Sequence, residues 1–171
     1  MKKKTTNEKA AKPTPEKQLR DHLISLLKGG GAHVTFDDVV KNMPEKLRGV
    51  KPEGLPHSAW MLLEHLRIAQ WDILEFSRNA NHQSPKWPDE YWPKGEAPAS
   101  TAAWDKSIQH FRKDAKAMQE LVGDSKTDLF AKISWGDGQT ILREALLLAD
   151  HNAYHLGQLL DVRRLLGAWK G

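Results

Sequence analysis

The chain has 171 residues, enough for one ordinary domain with a real hydrophobic core and no need of covalent staples. It contains no cysteine, which excludes disulfides, thiolate zinc sites and cysteine nucleophiles; any transition metal must be held by histidine nitrogen and carboxylate oxygen. The formal charge of +4 is accounted for by residues 1–18, where six lysines face two glutamates, so the remaining body is neutral and gives no sign of a nucleic-acid surface.

Residues 1–18, rich in Lys, Thr and Pro, read as a disordered, solubilising basic tail, and residues 19–171 as a single domain. No apolar run approaches the ~18 residues of a membrane span, and no apolar leader segment follows the basic start. A cytoplasmic protein with neither nucleic acid nor membrane as partner is the expectation.

From about Pro15 the apolar spacing is helical through Leu19, Leu23, Leu26 and Leu27, and three glycines end it. A short helix follows, with Thr35 as N-cap and Asp38 completing a capping box. Ser58 caps a run without Gly or Pro from Ala59 to about Asn81. Residues 83–100 are too proline-rich for a helix and too aromatic for a tether, and read as an ordered loop packed on the body. Ser100 caps the next helix, to about Val122, closed by Gly123. Residues 130–138 form a turn, with residues 130–134 the one stretch that could be a strand. A last helix runs from about Gln139 to Leu166 and ends at Gly167. The fold class expected is all-α: a four-helix bundle with a short extra helix and long crossover loops.

On the last helix His151 and His155 stand four residues apart, so both project from one face about a turn apart. At ~100° per residue, Glu144, Leu147, Leu148, Gln158, Val162 and Leu165 share that side, which makes it an inward one. His65 groups with Met61, Leu62, Ile68, Ala69, Ile73 and Phe76 on a core face of its own helix. Two readings fit. Each histidine is a core imidazole bonded to a carbonyl or to a carboxylate such as Glu144 or Asp72, or the three share a metal ion.

The segment Asp150-His151-Asn152-Ala153-Tyr154-His155-Leu156-Gly157-Gln158, followed by Arg163-Arg164-Leu165-Leu166-Gly167, resembles the closing helix of the DinB/YfiT-like superfamily. The segment Pro56-His57-Ser58-Ala59-Trp60 through Leu63-Glu64-His65-Leu66-Arg67, with Trp71-Asp72-Ile73-Leu74, is similar to that family's second helix. The resemblance spans about Leu19 to Trp169. It implies a metal site with one histidine from the second helix and two from the last, matching His65, His151 and His155. It also implies frequent dimerisation, and a family that includes thiol-dependent transferases, metal-dependent hydrolases and members with no assigned reaction.

Three neutral protein ligands leave an open position and the full charge of the ion, with zinc or nickel the divalent metals expected. The function expected is a metal-dependent transferase that moves a low-molecular-weight thiol onto a small electrophile. A hydrolase and a non-catalytic binding protein are the alternatives. Asp72, two turns beyond His65, and Glu144, two turns before His151, are the candidate catalytic helpers, each as proton carrier or as orienter of an imidazole. Gln158, a turn beyond His155, reads first as a packing amide and second as a partner for a ligand histidine or a bound water. His57, His82 and His110 read as solvated, and His22 lacks a partner. Trp60, Trp71, Trp104 and Trp135 read as core or bundle ends, while Trp87 and Trp92 read as packing rather than as the roof of a pocket. Finally, Leu142, Ala149, Ala153, Leu156 and Leu160 form a second apolar stripe on the last helix, which suggests a homodimer.

Overall fold

The computed structural model describes residues 12–170, so most of the basic tail lies outside the described residues. Its end does not: Thr14 caps a helix that already begins at Pro15, four residues inside the segment read as tail. The described residues form α1 (Pro15–Lys28), the short α2 (Phe36–Val40), α3 (Ala59–Arg78), α4 (Thr101–Gly123) and α5 (Ile141–Leu165). Two 3-10 turns, Glu45–Leu47 and Asp89–Tyr91, lie in the long connections. The fold is all-helical, and where a strand seemed possible there is only an isolated antiparallel bridge between Lys132 and Thr140.

Each helix starts at a Ser or Thr whose hydroxyl accepts from the backbone N–H three residues on: Thr14, Thr35, Ser58, Ser100 and Thr140. This satisfies one of the donors a helix start leaves free, so the chain enters each helix at a defined residue. At the far end of α5, Gly167 takes a φ of 66°, a left-handed turn that glycine makes without strain.

α3 packs against both α4 and α5, and α1 packs against the same two, so α1 and α3 face each other across the bundle. The connection from α1 to α3 therefore crosses a diagonal, whereas the proline-rich loop from α3 to α4 joins neighbours. In the middle of the bundle the fully buried Gln70 of α3 donates to the Phe111 carbonyl of α4 at 2.6 Å and accepts from Asn152 of α5 at 3.0 Å. One amide thus fixes the register of three helices.

The second stripe of α5 is covered in part within the protomer, with Leu142 and Ala153 half-buried. Ala149, Leu156 and Leu160 are buried, with Leu156 and Leu160 packed among Leu62, Leu66 and Phe111. α1 and α2 pack against α5 in addition to α3 and α4, so α5 buries more than one side inside the bundle. The apolar side chains α5 leaves in solvent are Leu146, Leu147, Tyr154 and Leu165. Helical periodicity predicts Leu147 and Leu165 on the inward side, but both reach solvent. Trp71 and Trp135 are likewise partly exposed, whereas Trp104 is buried. No helix among the described residues is long and apolar enough to cross a membrane.

Candidate metal centre

His65 comes from the middle of α3, and His151 and His155 from successive turns of α5, the helix against which α3 packs. Nε2 of His65 lies 3.1 Å from Nε2 of His155 and 3.1 Å from Nε2 of His151. Among the described residues these three form the one group of side chains able to hold a metal ion, and no carboxylate joins them.

The outward nitrogens decide what the inward ones present. Nδ1 of His65 donates to the Tyr91 carbonyl at 2.9 Å, and Nδ1 of His155 donates to Oε1 of Gln158 at 2.7 Å. Because a carbonyl oxygen can only accept, both neutral rings carry their proton on Nδ1 and turn an Nε2 lone pair inward. Two lone pairs 3.1 Å apart repel each other unless a cation lies between them. With metal–nitrogen bonds of about 2.0–2.1 Å, ligand nitrogens stand about 3 Å apart at a right angle and about 3.4 Å apart at the tetrahedral angle. The observed spacing falls between, so the residues fit a divalent ion.

Burial keeps the rings neutral. Desolvation, reinforced by the neighbouring imidazoles, lowers His65 and His151 to about 4 from the usual 6.5, and desolvation lowers His155 as well. Nδ1 of His151 is buried with no hydrogen-bond partner among the described residues, so this third ring is oriented by packing and by its place on the helix.

The wall of the site is the proline-rich loop. The Trp92 ring lies flat on His65, with centroids 4.0 Å apart and planes 3° apart. It also stacks on His57 at 4.1 Å and 15°. The loop is held down by Asp72, which accepts from His82 Nε2 at 2.8 Å and from the Tyr91 hydroxyl at 2.5 Å. Burial and the Asp72 carboxylate push the Tyr91 phenol well above its ordinary value, so it stays a donor. Further on, Ser58 donates to the Glu96 carbonyl, Lys51 pairs with Glu96, and Gly49 sits so close to Ala97 that a Cβ would lie 2.3 Å from the alanine's. The loop is ordered and packed, as its composition suggested. Trp92, however, is part of the site, not remote packing.

Neither proposed helper reaches the three rings directly. Asp72 lies two turns along α3 and acts on the loop, one backbone carbonyl away from His65. Glu144 is buried but pairs with Arg143 at 2.6 Å. His82 and His57 were read as solvated, yet the His82 side chain is only 6% exposed and His57 has its Nδ1 buried. Gln158 is more than a packing amide, since it orients the ring of His155, a candidate ligand. The contacts of Asp72, His82 and His57 carry no periodic signal, because they depend on how the loop between α3 and α4 folds back over α3, whereas the Gln158 contact is local to α5.

A bundle in which α3 supplies one inward imidazole and α5 two, with no acidic ligand, is the class that fold and site define. A DinB superfamily model matches residues 32–159, well over half of the chain. The protein belongs to the DinB superfamily. Comparison with curated proteins gave no match, and comparison with solved structures gave none either.

Proposed function

We propose that this protein holds one divalent ion, zinc or nickel, on His65, His151 and His155, and that it transfers a low-molecular-weight thiol to a small electrophile. The observation that carries the reading is the pair of Nε2 lone pairs fixed 3.1 Å apart by protonated Nδ1 atoms. When bound, such an ion supplies a Lewis acid beside which a thiol or a water gives up its proton at neutral pH.

The chain's own residues support thiol transfer over hydrolysis. A hydrolase gains from a carboxylate that carries the proton of water. Here both nearby candidates are engaged elsewhere, Asp72 with His82 and Tyr91 and Glu144 with Arg143. A thiol is much the stronger acid and needs no such helper. Asp72 then acts as a positioning residue, because it holds Tyr91 and so the carbonyl that keeps the His65 proton on Nδ1. Trp92 excludes water from one face of His65.

The test is conjugation of a panel of small thiols to an activated aryl halide by metal-loaded protein. Turnover that needs both the metal and His65 is expected. Ester hydrolysis without thiol would favour the hydrolase reading instead, and stoichiometric metal without either activity would favour a binding protein.

A further inference from the structure

A small cavity of about 140 Å³ opens between the end of the loop before α3 and the last turns of α5. Leu55, Pro56, Leu62 and Val162 form its apolar lining, and His57 and Gln158 are its neutral polar residues. Leu62 and Val162 are each 1% exposed and belong to the core, so two of its walls are rigid. The one charged side chain at its edge, Asp161, is exposed and paired with Arg164 at 3.2 Å.

Two of these residues join the cavity to the histidine centre. Gln158 lines it and accepts from Nδ1 of His155. His57 lines it and stacks on Trp92, which stacks on His65. A molecule lodged there is therefore one residue, Gln158, away from His155, and two, His57 and Trp92, away from His65.

We propose that this cavity binds the uncharged apolar part of a small molecule, of about the size of a benzene ring, and presents the rest of that molecule to the histidine centre. An apolar cavity of about 150 Å³ is known to take benzene, which sets the size class. An ionised group would lose its hydration there with no partner of opposite charge, which excludes anions of the same shape. The binding claim stands on the cavity alone. Its assignment as the electrophile's seat rests on the metal-centre reading above.

The experiment is calorimetric titration of the full chain, metal-loaded and metal-free, with phenol and with benzoate as probes. Saturable one-to-one binding of phenol to both forms is expected, with benzoate at least ten-fold weaker. Leu55→Trp fills the cavity and should weaken phenol at least ten-fold while metal content stays as in the wild type. Leu55→Ala enlarges it and should strengthen 2-naphthol relative to phenol, which keeps the test valid even if the tryptophan variant fails to fold. Phenol affinity unchanged in a folded Leu55→Trp protein, or benzoate binding as tightly as phenol, overturns the proposal. If the purified chain takes no metal yet phenol binds and responds to both variants, the cavity stands and the metal reading falls.

Discussion

At one end of the bundle Leu23, Leu74, Met118, Val122, Leu129 and Leu148 pack into an aliphatic core. It is closed by Arg20, whose buried guanidinium donates to the carbonyls of Val122, Asp124 and Thr127 at 2.6 to 2.9 Å. At the other end Phe36, Trp104, Phe111 and Leu156 belong to a second core rich in aromatic rings, with Trp60 and Trp92 packed against it, and Trp92 joins it to His65. Among the described residues, the buried side-chain atoms without a partner belong to Arg48, His57 and His151 at this second end and to Asn152 in the adjoining middle of the bundle. The contrast is physical. An unpaired buried polar group costs about 1–3 kcal/mol, so a fold keeps such groups only where something else is gained. The Arg20 end is built for stability, and the histidine end gives some of it up, as the proposed metal site requires.

Single substitutions at the two ends should therefore fail in different ways. The largest effect expected is on metal content. His155→Ala should abolish stoichiometric binding, because two imidazoles make a weak site, while the metal-free variant unfolds no more easily than metal-free wild type since one of the facing lone pairs is gone. Metal analysis and thermal melts measure both. At the aliphatic end, Leu74→Ala should lower stability by about 2–5 kcal/mol and leave the metal-to-chain ratio of the folded fraction unchanged. Loss of metal in folded Leu74→Ala would break the division between the ends.

A smaller effect is expected one contact out from the centre. Asp72→Asn weakens the hold on His82 and Tyr91, and with it the carbonyl facing His65. Metal affinity should fall about 10–100-fold, the range found when outer partners of ligand histidines are removed. Equilibrium competition with a chelator reads this out, and affinity equal to wild type would show that the loop anchor does not reach the site.

The pH response follows from the lowered values of the ligand rings. In the metal-free fold His65 and His151 stay neutral to about 4, whereas in the unfolded chain they gain protons near 6.5. Between those values the unfolded state binds more protons, so stability declines as pH falls through this window and is unaffected by these groups above it. Denaturant midpoints of the metal-free protein at pH 7 and pH 5 measure the decline. The same burial should carry metal binding to lower pH than free imidazole would allow, down toward 4 instead of failing near 6.5.

Much of this was legible in the residues. The H-x-x-x-H spacing of His151 and His155 and the core face of His65 place all three rings on inward faces, because helical periodicity fixes which side chains share a face, and the family resemblance singles them out as a candidate ligand set. Capping chemistry located Thr35, Ser58 and Ser100, though Thr14 and Thr140 passed unnoticed beside prolines and a glycine-rich turn. What stayed hidden is what the long connections do. That Trp92 covers His65, that Tyr91 lends it a carbonyl, and that Asp72 serves the loop are long-range contacts with no periodicity to announce them. The stripe of Ala149, Leu156 and Leu160 was visible too, but only the diagonal crossing of the helices shows that it is covered from within.

X-ray absorption at the metal edge of the loaded protein tests the central claim most directly. The geometry predicts three imidazole nitrogens at about 2.0–2.1 Å around a single ion. A shell dominated by carboxylate oxygen, or fewer than two imidazoles, would contradict it.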